Sequence, residues 1–131
     1  MDRVTGIGGV FLKAKDPKKM TAWYDKHLGL NFGESTYLSF KDGNGQEPSN
    51  PGETVFSFFK YETKYFDPSA SPFMINFRVK NLESLFEKLK EEGVEIVGEM
   101  MKESYGNFGW ILDPEGNKIE LWEAIDDKAG K

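Results

Sequence analysis

The chain of 131 residues has no cysteine, which excludes disulfides, thiolate nucleophiles and cysteine-based zinc or iron–sulfur sites. No stretch approaches the roughly eighteen apolar residues of a membrane span, so no membrane role is expected. The opening Met1-Asp2-Arg3-Val4-Thr5-Gly6 is not followed by the apolar region of a signal peptide, and the cytoplasm is the expected location. Positive charge is also in short supply. A formal net charge of -5 gives no basic footprint for a phosphate backbone, so nucleic acid is not an expected partner and a neutral or cationic ligand fits better. Phosphate loops, dinucleotide fingerprints and nucleophile elbows are missing as well, since the pair Gly8-Gly9 has the spacing of none of them.

What is abundant is aromatic surface, at 15% of residues with 11 phenylalanines. So much of it must be buried or line a cavity. The length suits one domain, and a chain of this size buries roughly two thirds of its unfolded surface.

The pattern is written twice. Val10, Leu12 and Ala14 alternate with Gly9, Phe11 and Lys13, the two-residue period of a strand with one apolar face. Ile75, Phe77 and Val79 repeat it against Met74, Asn76 and Arg78, and Ile75 follows Val10 by 65 residues. Asp16-Pro17 and Asn81 are helix starts. Met20, Trp23, Tyr24, His27 and Leu28 then take helical spacing, as do Leu82, Leu85, Phe86 and Leu89. Gly29 and Gly93 suit the left-handed position that ends a helix. Three strands are expected after each helix: 30–34, 36–41 and 54–60 in the first half, 94–101, 107–112 and 118–124 in the second. Asp113-Pro114-Glu115-Gly116-Asn117 is hairpin chemistry, and 41–53, rich in Gly, Asn and Pro, reads as a loop.

The expected fold is therefore α+β, with two tandem βαβββ modules, about 4–60 and 73–125, joined by a connection at 61–72 and followed by a tail at 126–131. One helix cannot cover both faces of its sheet, so two sheets side by side make a curved, half-open mixed β-sheet barrel with helices outside and a cleft inside. Closure within one chain or between two is open. A homodimer is expected, because unpaired edges are a liability.

The run Gly9 to Gly29, with Trp23-Tyr24 and His27-Leu28-Gly29-Leu30, resembles the first module of vicinal-oxygen-chelate proteins, the superfamily of glyoxalases, bleomycin-resistance proteins and extradiol dioxygenases. Asp113 to Trp122 resembles their C-terminal hairpin, and with Met74 to Asn81 the likeness covers nearly the whole chain. In metal-using members four cleft-facing strand positions, typically His, Glu, His and Glu, bind the ion. The resemblance places them at Gly9, Ser57, Met74 and Glu120, and only Glu120 matches. Glycine has no ligating side chain, a thioether is soft, and a neutral hydroxyl binds hard ions poorly. No metal and no cofactor are therefore expected. The single histidine, His27, lies on the first helix, far from the predicted cleft.

Strand alternation places Lys118, Glu120 and Trp122 on the concave face, together with Val55, Ser57 and Phe59, and Met74, Asn76 and Arg78. The candidate ligand-binding residues are Ser57, Phe59, Met74, Asn76, Arg78, Tyr105, Glu120 and Trp122. Phe59 and Trp122, at equivalent places in the two modules, could clamp a flat molecule or simply fill the barrel or a dimer interface. Glu120 could be a solvated strand carboxylate, or a polar anchor or base with a carboxyl pushed up by apolar neighbours. Arg78 could pair with Glu120 or hold a ligand anion, Met74 could fill a gap, and Tyr105 could form the rim. The leading expectation is a metal-independent binder of a small molecule. A lyase, isomerase or dioxygenase-like enzyme that uses Glu120 as base or metal ligand, and a ligandless structural dimer, are the alternatives.

Overall fold

A computed structural model describes residues 3–42 and 52–125. The element order is β1 (Gly6–Ala14), α1 (Pro17–Leu28), β2 (Tyr37–Asp42), β3 (Gly52–Lys60), β4 (Phe73–Arg78), α2 (Leu82–Glu91), β5 (Ile96–Glu103), β6 (Gly106–Leu112) and β7 (Lys118–Ala124). Most of the loop expected at 41–53 lies outside the described residues, as does the tail 126–131. Among the described residues no helix is long and apolar enough to cross a membrane.

The seven strands form one mixed sheet, not closed, in the order β2-β3-β1-β4-β7-β6-β5. Each module starts and finishes with parallel neighbours, β1 beside β3 and β4 beside β7. The modules meet within the chain, where β1 and β4 pair antiparallel with Val10 opposite Ile75. That pair has the 65-residue offset of the sequence repeat, so a pseudo-two-fold axis passes through it. Phe11 lies beside Ser57 and Asn76 beside Glu120, so the same rotation carries Phe11 to Asn76, Ser57 to Glu120 and Phe59 to Trp122.

The helices start where their caps direct. Asp16 accepts from the Lys19 amide and Asn81 from the Ser84 amide, each at 3.1 Å, satisfying donors that have no partner inside the helix. Gly29 and Gly93, at φ 72° and 84°, end them. The hairpin before β7 turns on Asp113, whose Oδ1 accepts from the amides of Glu115 and Asn117 at 2.9 Å.

Two expectations fail in the first module. Residues 30–34 form no strand, because the Asp25 carboxylate on α1 captures the amides of Phe32 and Gly33 at 2.9 and 3.1 Å and Gly33 turns at φ 61°. This segment is tied to the helix instead of the sheet, so the first module has one strand fewer than the second. The stripe read as the packing face of α1 is also largely outside. Met20, Trp23 and Leu28 are exposed, and Trp23 rests on His27 with ring centroids 5.0 Å apart. Phe32 folds under the helix to join Phe56 and Phe58, leaving Thr21 and Tyr24 as the helix's contact with the sheet side.

In the second module the reading holds. Leu82, Leu85, Phe86 and Leu89 pack with Val79 and Leu121, flanked by Phe77, Ile111 and Ile119. A side chain at Gly109 would put a Cβ 2.7 Å from Phe86 Cε2, and the Phe86 ring is locked in this core. Gly109→Ala is expected to destabilise the fold by about 1–3 kcal/mol, measured by denaturant unfolding, while leaving the opposite face of the sheet intact.

Candidate functional site

Alternation along β7 puts Ile119 and Leu121 beneath α2 and turns Lys118, Glu120 and Trp122 to the concave face. On that face Phe11, Met74 and Trp110 cluster with Phe66, with Val55, Phe59, Tyr65, Val97 and Phe108 packed around them. Tyr65 and Phe66 belong to the connection 61–72, which folds into the cleft instead of passing around it. Tyr65 lies parallel to Phe59, centroids 5.5 Å apart and planes 8° apart.

Glu120, 3% exposed, is the centre of the polar chemistry. Its Oε1 accepts from Asn76 Nδ2 at 2.5 Å and its Oε2 from Trp110 Nε1 at 2.9 Å and from the Tyr65 hydroxyl. Of the two surroundings considered for this carboxylate, solvent is excluded by its burial, and beside the apolar neighbours stand three donors from β4, β6 and the connection. Burial, and then the charge of Glu120, push the Tyr65 hydroxyl far above its usual range, which keeps it protonated and donating. Lys118 donates to the Tyr65 carbonyl at 2.7 Å and lies over the rings of Tyr65 and Trp110. Burial pulls its ammonium below the usual lysine value, and the charges of Glu120 and Asp67 oppose that shift.

The other end of the cleft remains open as a cavity of about 360 Å³. Gly8, Asn76, Glu120 and Phe11 form its floor, Tyr37, Ser39, Glu53 and Val55 one wall, and Tyr105, Phe108 and Trp122 the other. Phe108 and Trp122 are parallel, planes 4° apart, and Tyr105 meets Phe108 edge-on. A register shift between Ile7 and Gly9 turns the Gly8 position to this face. Any side chain there would overlap Asn76 Oδ1 and come 2.9 Å from Trp122 Cε3. The bond from Asn76 Nδ2 to Glu120 fixes the amide so that Oδ1 turns toward Gly8. That oxygen is buried and has no hydrogen-bond partner among the described residues, a condition that costs roughly 1–3 kcal/mol.

Of the candidate ligand-binding residues named from sequence, Asn76, Tyr105, Glu120 and Trp122 line this cavity. Phe59 and Met74 do not: Phe59 lies under Tyr65, and Met74 is sealed in the cluster at 0% exposure. Ser57, beside Phe11 in the register, is outside the cavity lining. Arg78 does not pair with Glu120; its Nη1 donates to the Glu53 carbonyl at 2.6 Å. Sequence reasoning missed Trp110 and Tyr65. Trp110 was within reach, since alternation along β6 sets it on one face with Phe108. Tyr65 carried no signal, because a connection has no periodicity.

The four positions that hold an ion in metal-using members do not fit one here. Gly9 and Ser57 offer no strong ligand, Met74 is enclosed by aromatic rings, and both oxygens of Glu120 face N–H and O–H donors, which repel a cation. Among the described residues no three of His, Cys, Asp and Glu converge as a metal site.

Residues 6–121 match the family model of the Glyoxalase/Bleomycin resistance protein/Dioxygenase superfamily. Comparison by sequence with curated proteins finds no match. Among solved structures, methylmalonyl-CoA epimerase from Mycobacterium tuberculosis is similar over 100% of this chain and 95% of its own, with a TM-score of 0.64 at 20% identity. A Streptomyces coelicolor methylmalonyl-CoA epimerase in complex with 2-nitronate-propionyl-CoA is similar over 94% of this chain and 99% of its own, with a TM-score of 0.68 at 14% identity. A superfamily member from Vibrio splendidus 12B01 covers 89% of this chain and 97% of its own, with a TM-score of 0.61 at 14% identity. At such identities the likeness speaks to the fold alone. With its paired modules in one sheet and the family model spanning nearly all of both, the chain belongs to the glyoxalase/bleomycin resistance protein/dioxygenase superfamily.

Proposed function

We propose that this protein binds a neutral or cationic aromatic small molecule in the cavity above Asn76, without a metal ion. The observation that carries the reading is the cavity itself: about 360 Å³, walled by Tyr105, Phe108 and Trp122 and floored by a glycine where any side chain would intrude. Concave, mostly apolar sites with a few fixed polar groups are the usual form of small-molecule pockets. Glu120 acts here as an anchor for Asn76, Trp110 and Tyr65, because none of its oxygens is left without a donor.

Flat aromatic compounds are expected to raise the melting temperature and to quench tryptophan fluorescence. For any compound that does so, Trp122→Ala should weaken binding about tenfold or more, whereas Trp23→Ala, on the outer face of α1, should leave the dissociation constant unchanged. Equal effects of the two substitutions would move the binding site away from the cavity.

Metal independence is checked by elemental analysis of the purified chain and by titration in excess chelator. The expected outcome is no stoichiometric zinc, iron or manganese and an unchanged ligand affinity; a bound metal lost on substitution of Glu120 would overturn the reading.

Glu120→Gln turns an amide N–H₂ toward groups that themselves donate, so a loss of about 1–3 kcal/mol in unfolding free energy is expected. A general base free of structural duty would show unchanged stability and a lost turnover instead.

A further inference from the structure

The cavity's polar groups are unequal in kind, and that inequality says which molecule fits. Asn76 Oδ1 is a buried acceptor with no donor among the described residues, in a residue 2% exposed. Glu53 brings a carboxylate to the wall, and none of the hydrogen bonds or ion pairs among the described residues engages it. The opposite wall presents the rings of Tyr105, Phe108 and Trp122, whose faces carry partial negative charge. No lysine or arginine is among the described lining residues. Arg78, which shares the concave face, donates from Nη1 to the Glu53 carbonyl, and its Nη2 lies against Gly6. The Trp122 N–H, buried without a partner among the described residues, is over Gly106, on the other edge of the indole from the one facing Gly8. Along the floor and the Glu53 wall, the groups awaiting a partner are therefore acceptors or negative charge.

We propose that the ligand is an organic ammonium compound with a flat apolar body, its charge lying between the Trp122 wall and Glu53 and one N–H donated to Asn76 Oδ1. This deepens the small-molecule reading above and rests on it. A protonated amine supplies what each element lacks: a cation for the ring faces, a counter-charge for Glu53, and a donor for the orphaned amide oxygen. A carboxylate ligand would meet the reverse of each.

The test is a matched probe series titrated into the full chain at neutral pH, followed by calorimetry and tryptophan fluorescence. The series is naphthylmethylamine, its trimethylammonium analogue, naphthylmethanol and naphthoate. The primary ammonium is expected to bind about tenfold tighter than the alcohol, the trimethylammonium analogue to fall between them because it has no N–H to donate, and naphthoate to be weakest. Glu53→Gln should weaken the two cations several-fold and leave the alcohol unchanged. If the alcohol or naphthoate binds as tightly as the amine, and Trp122→Ala still abolishes that binding, the ammonium inference falls while the small-molecule reading stands. An equal effect of Glu53→Gln on all probes also overturns the inference. If none of the four binds, both readings fail.

Discussion

The structure depends on one buried carboxylate. An ionised side chain taken out of water is tolerated only when it is paired or fully hydrogen-bonded, and Glu120 is met by an amide, an indole and a phenol from three different parts of the chain. Because the donors come from β4, β6 and the connection between modules, one requirement fixes three elements at once. It aligns the central strands, sets the Trp110 ring, and draws Tyr65 down into the concavity, where Lys118 closes over it. It also fixes which way the Asn76 amide faces, and hence the acceptor that the open cavity presents. Both oxygens of this carboxylate face N–H and O–H donors of neighbouring side chains.

The internal repeat supplies the frame and departs from symmetry where local chemistry competes with it. The axis through Val10 and Ile75 relates the two parallel strand pairs in register. The departure is local: the Asp25 carboxylate accepts from backbone amides that would otherwise pair with a strand, and a nearby glycine in the left-handed region makes the turn possible. In the second module Lys90 stands 65 residues after Asp25, and the helix is followed by three strands, β5, β6 and β7.

Much of the fold was legible because its signals are local. Two-residue alternation, Asp16 and Asn81 at helix starts, and the Asp113 turn each act within a few residues, and the repeat confirmed them twice over. The α1 face was misread because helical spacing identifies a stripe but not which side of it meets the sheet; Phe32, distant from the helix's own pattern, took the place meant for Trp23. The candidate site was half legible. Asn76, Glu120 and Trp122 followed from strand parity, since a side chain's face is fixed once its strand is known. Phe59 and Met74 obeyed the same parity yet ended in packed core, because the segment that covers them comes from a connection whose path is set by long-range contacts.

The single connection has one more implication. A two-fold frame builds two like seats in the concavity, at Phe59 and at Trp122, but the linker between the halves exists once per molecule. Tyr65 and Phe66 sit down in the first seat, and nothing in the repeat can furnish a second such pair for the other. A duplicated scaffold thereby acquires a concavity whose two halves differ, one filled by the linker's rings and the other left open beside Trp122.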